Sequence, residues 1–183
     1  MPGPEERGPL LVTLARRAIE HEIGRGTVSK PFGVPWLDEL AATFVTLEQH
    51  GDLRGCVGSI DPVRQLFDDV TSNARSAAFR DPRFHPLSED ELGTIEIEVS
   101  VLSPVTPVRV ESETELLRML EPGVHGLILR LGQRRATFLP SVWEKLATPR
   151  EFVRSLKRKA GIPPAHWSDE IEVLVYTVEK FGR

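Results

Sequence analysis

The segment Thr94–Leu102 constrains the fold more than any other stretch of this chain. Ile95, Ile97, Val99 and Val101 alternate strictly with Glu96, Glu98 and Ser100, the period of two expected of a strand with one apolar and one polar face. A helix would scatter those residues around its axis. Two further pairs of apolar runs, 42–48 with 53–60 and 126–131 with 134–139, are joined by His50-Gly51-Asp52 and Gly132-Gln133 and read as hairpins. The sheet content is therefore mostly antiparallel.

Helices flank these strands. Residues 9–23 place Leu11, Leu14, Ala15, Ala18 and Ile19 on one stripe. Asp61-Pro62 predicts a helix start, with Val63, Leu66, Phe67, Val70, Ala74 and Ala77 continuing it to Phe79. Ser112 and Glu115 suggest a capping box for a short helix, and Thr148-Pro149-Arg150-Glu151 opens another that stops at Gly161. Ile171–Phe181 reads as one long terminal strand. The expected class is α+β, with mostly antiparallel sheets, hairpins and flanking helices. At 183 residues, with 40% apolar and 27% charged side chains, the chain is expected to form a single domain with a real core.

Cysteine occurs once, as Cys56. An internal disulfide, a CxxC redox pair and a multi-cysteine metal site are excluded, and a lone thiol fits a reducing, cytoplasmic setting. The longest apolar run is Val173–Tyr176, far short of a membrane span, and the start of the chain lacks a secretory leader pattern. A net charge of −4 and the lack of interleaved aromatic and basic residues weigh against nucleic acid. No spacing proposes a metal, and no glycine-rich phosphate loop or other cofactor signature is present.

The most unusual stretch is Leu53-Arg54-Gly55-Cys56-Val57-Gly58-Ser59. Glycines weaken a strand interior unless something approaches closely. In an extended strand Arg54 and Cys56 project from one face about 7 Å apart at Cα. A neighbouring guanidinium favours a thiolate, which a nucleophilic cysteine needs. The plain alternative is that Cys56 is a small packed hydrophobe. His125, in the turn Gly123-Val124-His125-Gly126, is the candidate base, with His85 second. Glu98, sharing a strand face with Glu96, is a candidate polar group, as is Ser59.

Taken in order, these segments resemble the AMMECR domain family, known in bacteria and archaea as AmmeMemoRadiSam system protein A. The heptad Leu53–Ser59 resembles the family's own, which usually has isoleucine at the position of Val57 and threonine at that of Ser59. Asp81-Pro82-Arg83-Phe84-His85-Pro86-Leu87 resembles a family segment with proline at His85, which demotes that histidine. Glu96–Leu102, Gly123–Gly126 and Thr137–Pro140 match further segments.

The resemblance implies an α+β domain of two lobes around a cleft, with the heptad near it. It also implies possible partners, a Memo-type protein and a radical SAM protein, but no settled reaction. Two expectations follow. One is an enzyme acting on a small molecule or protein side chain, with Cys56, Arg54 and His125 as catalytic groups and Gly55, Gly58, Ser59 and Glu98 lining the substrate. The other is a non-catalytic binding or adaptor module with Cys56 structural.

Overall fold

A computed structural model describes residues 3–182. In chain order the elements are α1 (Pro4–Glu22), β1 (Leu40–Ala41), β2 (Thr43–Gln49), β3 (Asp52–Gly58), β4 (Arg64–Gln65), α2 (Leu66–Phe79), β5 (Ile95–Leu102), β6 (Thr106–Val108), α3 (Glu113–Met119), β7 (Gly126–Leu131), β8 (Arg134–Phe138), α4 (Pro149–Ala160), β9 (Glu172–Tyr176) and β10 (Val178–Gly182). Two units result, confirming the α+β class: unit 1 runs to Leu102 and resumes at Glu179, and unit 2 is Ser103–Val178.

Unit 1 is built on a four-stranded sheet of order β10-β5-β2-β3. Strands β2 and β3 are joined by His50-Gly51, both at positive φ (54° and 84°), as a tight two-residue hairpin requires. The buried alternate residues Val45, Leu47, Ile97 and Val99 pack with Leu11, Leu14, Ala18, Val70 and Ala74 of the helices into one core. Helix α1 begins earlier than its apolar stripe predicts and runs through Pro9, with Glu5 and Glu6 at its positive end.

One expected helix start is corrected. Residues 62–65 are not helical: Arg64 and Gln65 form β4, paired with Ala41 and Leu40 of β1, and α2 begins at Leu66. Asp61-Pro62 instead sits in a bend, leaving Val63 exposed. Pairing with a strand some 20 residues upstream overrides the local capping signal.

Unit 2 carries a second sheet of order β6-β9-β7-β8. Its core joins Leu127, Leu129 and Val173 to Leu116 of α3 and Phe152, Val153 and Leu156 of α4. Trp143 stacks on Phe152 with ring centroids 3.8 Å apart. The α4 caps are as read: Thr148 Oγ1 accepts the Glu151 N–H, and Gly161 adopts φ 73°. The expected terminal strand is broken at Thr177 into β9 and β10, which join different sheets. The Thr177 N–H bonds to Ser103 Oγ and its carbonyl accepts the Ser103 N–H, so this residue leaves the ladder.

Candidate functional site

Strand β3 lies at the edge of its sheet, and the heptad occupies most of it. Gly55 lies directly under α2, where a Cβ would run into the Ala77 carbonyl. Gly58 is equally constrained, because a Cβ there would overlap the Phe44 ring. Both glycines are thus required by packing. With Gly55 against the helix, alternation turns the half-buried Cys56 to the opposite face.

On that face a row crosses the sheet. Thr46 of β2 is paired with Cys56 on one side and with Glu98 of β5 on the other. The Thr46 hydroxyl donates to Cys56 Sγ at 3.4 Å. Glu98, its side chain 12% exposed, meets Lys180 Nζ of β10 at 3.4 Å. The row therefore reads thiol, hydroxyl, carboxylate, ammonium.

An edge strand exposes unpaired backbone groups. At Cys56 both are taken by the loop after α2. The Cys56 N–H donates to Asp81 Oδ2 at 2.9 Å, and its carbonyl accepts from Arg83 Nη2 at 3.3 Å. Asp81, itself buried, also accepts from the Arg83 N–H (3.1 Å), Nε (2.9 Å) and Nη2 (2.7 Å). The Arg83 hydrogen bond, reinforced by the Cys56 N–H, holds the Asp81 carboxyl far below the usual carboxylate range although burial opposes this. Arg83 in turn is raised above its ordinary value, chiefly by its bond to Asp81, although burial opposes this.

Arg54 is held by a carboxylate outside this row. The β2–β3 register shifts between Leu47 and Glu48, which pair with Gly55 and Leu53, so Arg54 is the extra residue of a bulge. The i, i+2 alternation expected from Arg54 to Cys56 is broken there. Its guanidinium is spent on Glu91, with bonds of 2.7 and 3.0 Å. Those bonds lower Glu91 to about 2, helped by the Ser88 N–H and hydroxyl and opposed by burial.

Ser59 joins a different cluster. Its hydroxyl donates at 2.8 Å to Asp69, a fully buried carboxylate on α2. Asp69 also accepts from the Thr43 N–H (2.8 Å) and hydroxyl (2.7 Å), Arg64 Nε (2.9 Å) and Asn73 Nδ2 (3.0 Å). This network pins the open end of the β2–β3 hairpin to the helix. His125 belongs to unit 2, where its Nδ1 accepts the Glu121 N–H at 3.0 Å and its carbonyl accepts Trp143 Nε1 at 2.7 Å.

Of the candidates drawn from sequence, the fold sets Cys56 and Glu98 in one row. It gives Arg54, Ser59, Gly55 and Gly58 other work, and it holds His125 in the second unit. Thr46, Asp81, Arg83 and Lys180 were not singled out in the sequence. The signal for Asp81 and Arg83 was the short Asp-Pro-Arg turn that ends α2. Among the described residues there is no group of three or more His, Cys, Asp or Glu side chains arranged to hold a metal ion, and no helix long and apolar enough to cross a membrane.

Comparison with known proteins covers nearly the whole chain. The AMMECR1 family model matches residues 12–181. A protein of Thermotoga maritima is 41% identical over 177 residues, covering 93% of this chain and 95% of its own length. A protein of Methanopyrus kandleri is 38% identical over 187 residues, covering 96% and 88%. The crystal structure of an uncharacterized protein from Pyrococcus horikoshii superposes with a TM-score of 0.84 at 34% identity, over 96% of this chain and 90% of that one.

Proposed function

The chain belongs to the AMMECR1 family, and from that premise we propose that it is a cysteine-dependent enzyme whose reacting group is Cys56. The observation that carries this reading is the grip on Cys56: its N–H and C=O are both held by the Asp81–Arg83 pair. A nucleophile gains from being fixed before the substrate arrives. The cation beside Cys56 is then Arg83, which bonds its carbonyl, rather than Arg54, which is paired with Glu91, and the Thr46 hydroxyl donates to Cys56 Sγ.

The chemistry that suits this arrangement is transfer of an acyl-type group from a small molecule or a protein side chain. The thiolate supplies the electron pair of a new S–C bond, and the leaving group departs with the pair of the broken bond and takes up a proton. Attack by water or an amine then releases the product and returns the sulfur. Glu98 and Lys180 lie along the row to orient a polar substrate. A cytoplasmic setting keeps the thiol reduced.

The test is native-state labelling with iodoacetamide, followed by intact-mass spectrometry. Folded wild type is expected to take one carbamidomethyl group, Cys56→Ser none, and Arg83→Gln to label several-fold more slowly while keeping its circular dichroism spectrum. If the folded thiol stays unmodified while urea-unfolded chain labels fully, the enzyme reading is wrong.

One observation favours a second reading, an adaptor module with Cys56 structural. Gly55, Gly58, Arg54 and Ser59 all have folding roles, so packing alone accounts for much of the heptad. On that reading the Memo-type and radical SAM proteins are the partners. Their capture by the Cys56→Ser variant as efficiently as by wild type, together with an unreactive thiol, would favour it.

A further inference from the structure

The two units differ in charge. Unit 1 holds 12 basic and 18 acidic residues, a balance of −6, whereas unit 2 holds 11 and 9, a balance of +2. Much of the positive excess stands on α4. Arg150, Arg154 and Arg158 recur at i, i+4 and i+8 and are all exposed. They form a single stripe with about 6 Å between successive positions.

Among the described residues none gives any of the three guanidiniums a hydrogen bond or an ion pair. The nearby Glu151 carboxylate is taken by the Thr148 hydroxyl at 2.7 Å. The other exposed cation of the helix, Lys159, is also occupied: its Nζ donates to the Thr137 carbonyl at 3.0 Å and lies 5.1 Å from the Phe138 ring centroid.

The stripe also works against the helix that carries it. Like charges at i, i+4 destabilise a helix, and there are two such pairs here. Arg150 is the second residue of α4, at the positive end of the helix dipole, where a cation is disfavoured. Arg158, in the last turn, suits the dipole, but helix stability accounts neither for Arg150 nor for the two like-charge pairs, whereas an external anion would.

We infer that the Arg150–Arg154–Arg158 stripe is a docking surface for an acidic α-helix of a partner protein, one that presents carboxylates at matching four-residue spacing. Charge and spacing both complement such a helix. The exposed positions of α4 are Arg150, Glu151, Arg154, Arg158 and Lys159, with no aromatic residue on which a base would stack and no apolar residue to enter a membrane. The inference is independent of the role of Cys56.

The test uses the full chain and a fluorescent 18-residue helical peptide with glutamate at every fourth position, read by anisotropy at low salt. Wild type is expected to bind it, and the triple variant Arg150→Gln/Arg154→Gln/Arg158→Gln to bind about tenfold or more weakly, with a shallower salt dependence. A triple arginine-to-glutamate variant should regain binding to the corresponding lysine peptide. Circular dichroism should find the glutamine variant as helical as wild type. Equal binding by wild type and the glutamine variant, or equal binding of a reshuffled peptide of the same composition, overturns the inference. So does tighter binding of a single-stranded oligonucleotide. Self-association of wild type that the triple variant abolishes overturns it in favour of a second copy as occupant.

Discussion

Among the described residues each unit encloses one fully buried charge, and the two are satisfied in different ways. Asp69 in unit 1 can only accept, so it draws donors from four separate places: Thr43, Ser59, Arg64 and Asn73. Lys157 in unit 2 can only donate. It bonds to Glu113 and to two backbone carbonyls, of Pro164 at 3.3 Å and His166 at 2.8 Å, under the Trp167 ring at 5.3 Å. Asp69 is met mostly by side chains, with the Thr43 N–H as its one backbone donor, whereas Lys157 is met by two loop carbonyls and one carboxylate. Asp69 thus ties the ends of the heptad hairpin to α2, while Lys157 straps one loop to α4.

The largest expected effect breaks the first network. Asp69→Ala should cost about 3–5 kcal/mol in urea unfolding, because the Arg64 charge and several buried donors lose their acceptor. A loss under about 1 kcal/mol would mean the carboxylate is not what holds the hairpin to α2. Lys157→Met should cost less, about 1–3 kcal/mol, since Glu113 is partly exposed and two carbonyls are left unsatisfied. If the two variants ranked in the reverse order, the contrast between recruited donors and loop carbonyls would fail.

Two smaller effects separate the units by pH. Glu91 is lowered from its ordinary 4.5 to about 2, so its contribution is full above about 4.5 and is lost as pH falls toward about 2. Acid unfolding of Glu91→Gln should lack that part of the pH dependence, with unit 1 reporting through Cys56 accessibility. Tyr176 moves the other way, pushed up to about 12 by burial, against the Thr137 hydrogen bond. Its contribution is present below about 10 and lost as pH rises through about 12. As the only tyrosine, its phenolate absorbance at 295 nm reads unit 2 directly, and ionisation near pH 10 in the folded chain would contradict its burial.

The parts of the fold legible in the sequence are those set by neighbours along the chain. The alternation of β5, the His50-Gly51 turn and the α4 caps each follow from a few adjacent residues. The misreadings share the opposite cause. Arg64-Gln65 left the helical pattern because β1 and Asp69 claim those residues from elsewhere. Arg54 left the alternation because a bulge interrupts β3. The heptad itself was conspicuous through its glycines and lone thiol. Its supports, Asp81 and Arg83, lie 25 and 27 residues downstream, and only the pairing of β3 at a sheet edge explains why a carboxylate and a guanidinium are needed there.

The division of the last strands between two sheets also orders events in time. Strand β10 lies downstream of every element of unit 2, and it pairs at the edge of the unit 1 sheet. On a translating ribosome both sheets stay incomplete almost to the end: that of unit 2 waits for β9, which lies between β6 and β7, and that of unit 1 waits for β10, which starts two residues after β9 ends. Through that interval the face bearing Cys56 exists without Lys180, so Glu98 lacks its ammonium. The thiol-bearing row is among the first parts of the protein to be synthesised and among the last to be completed.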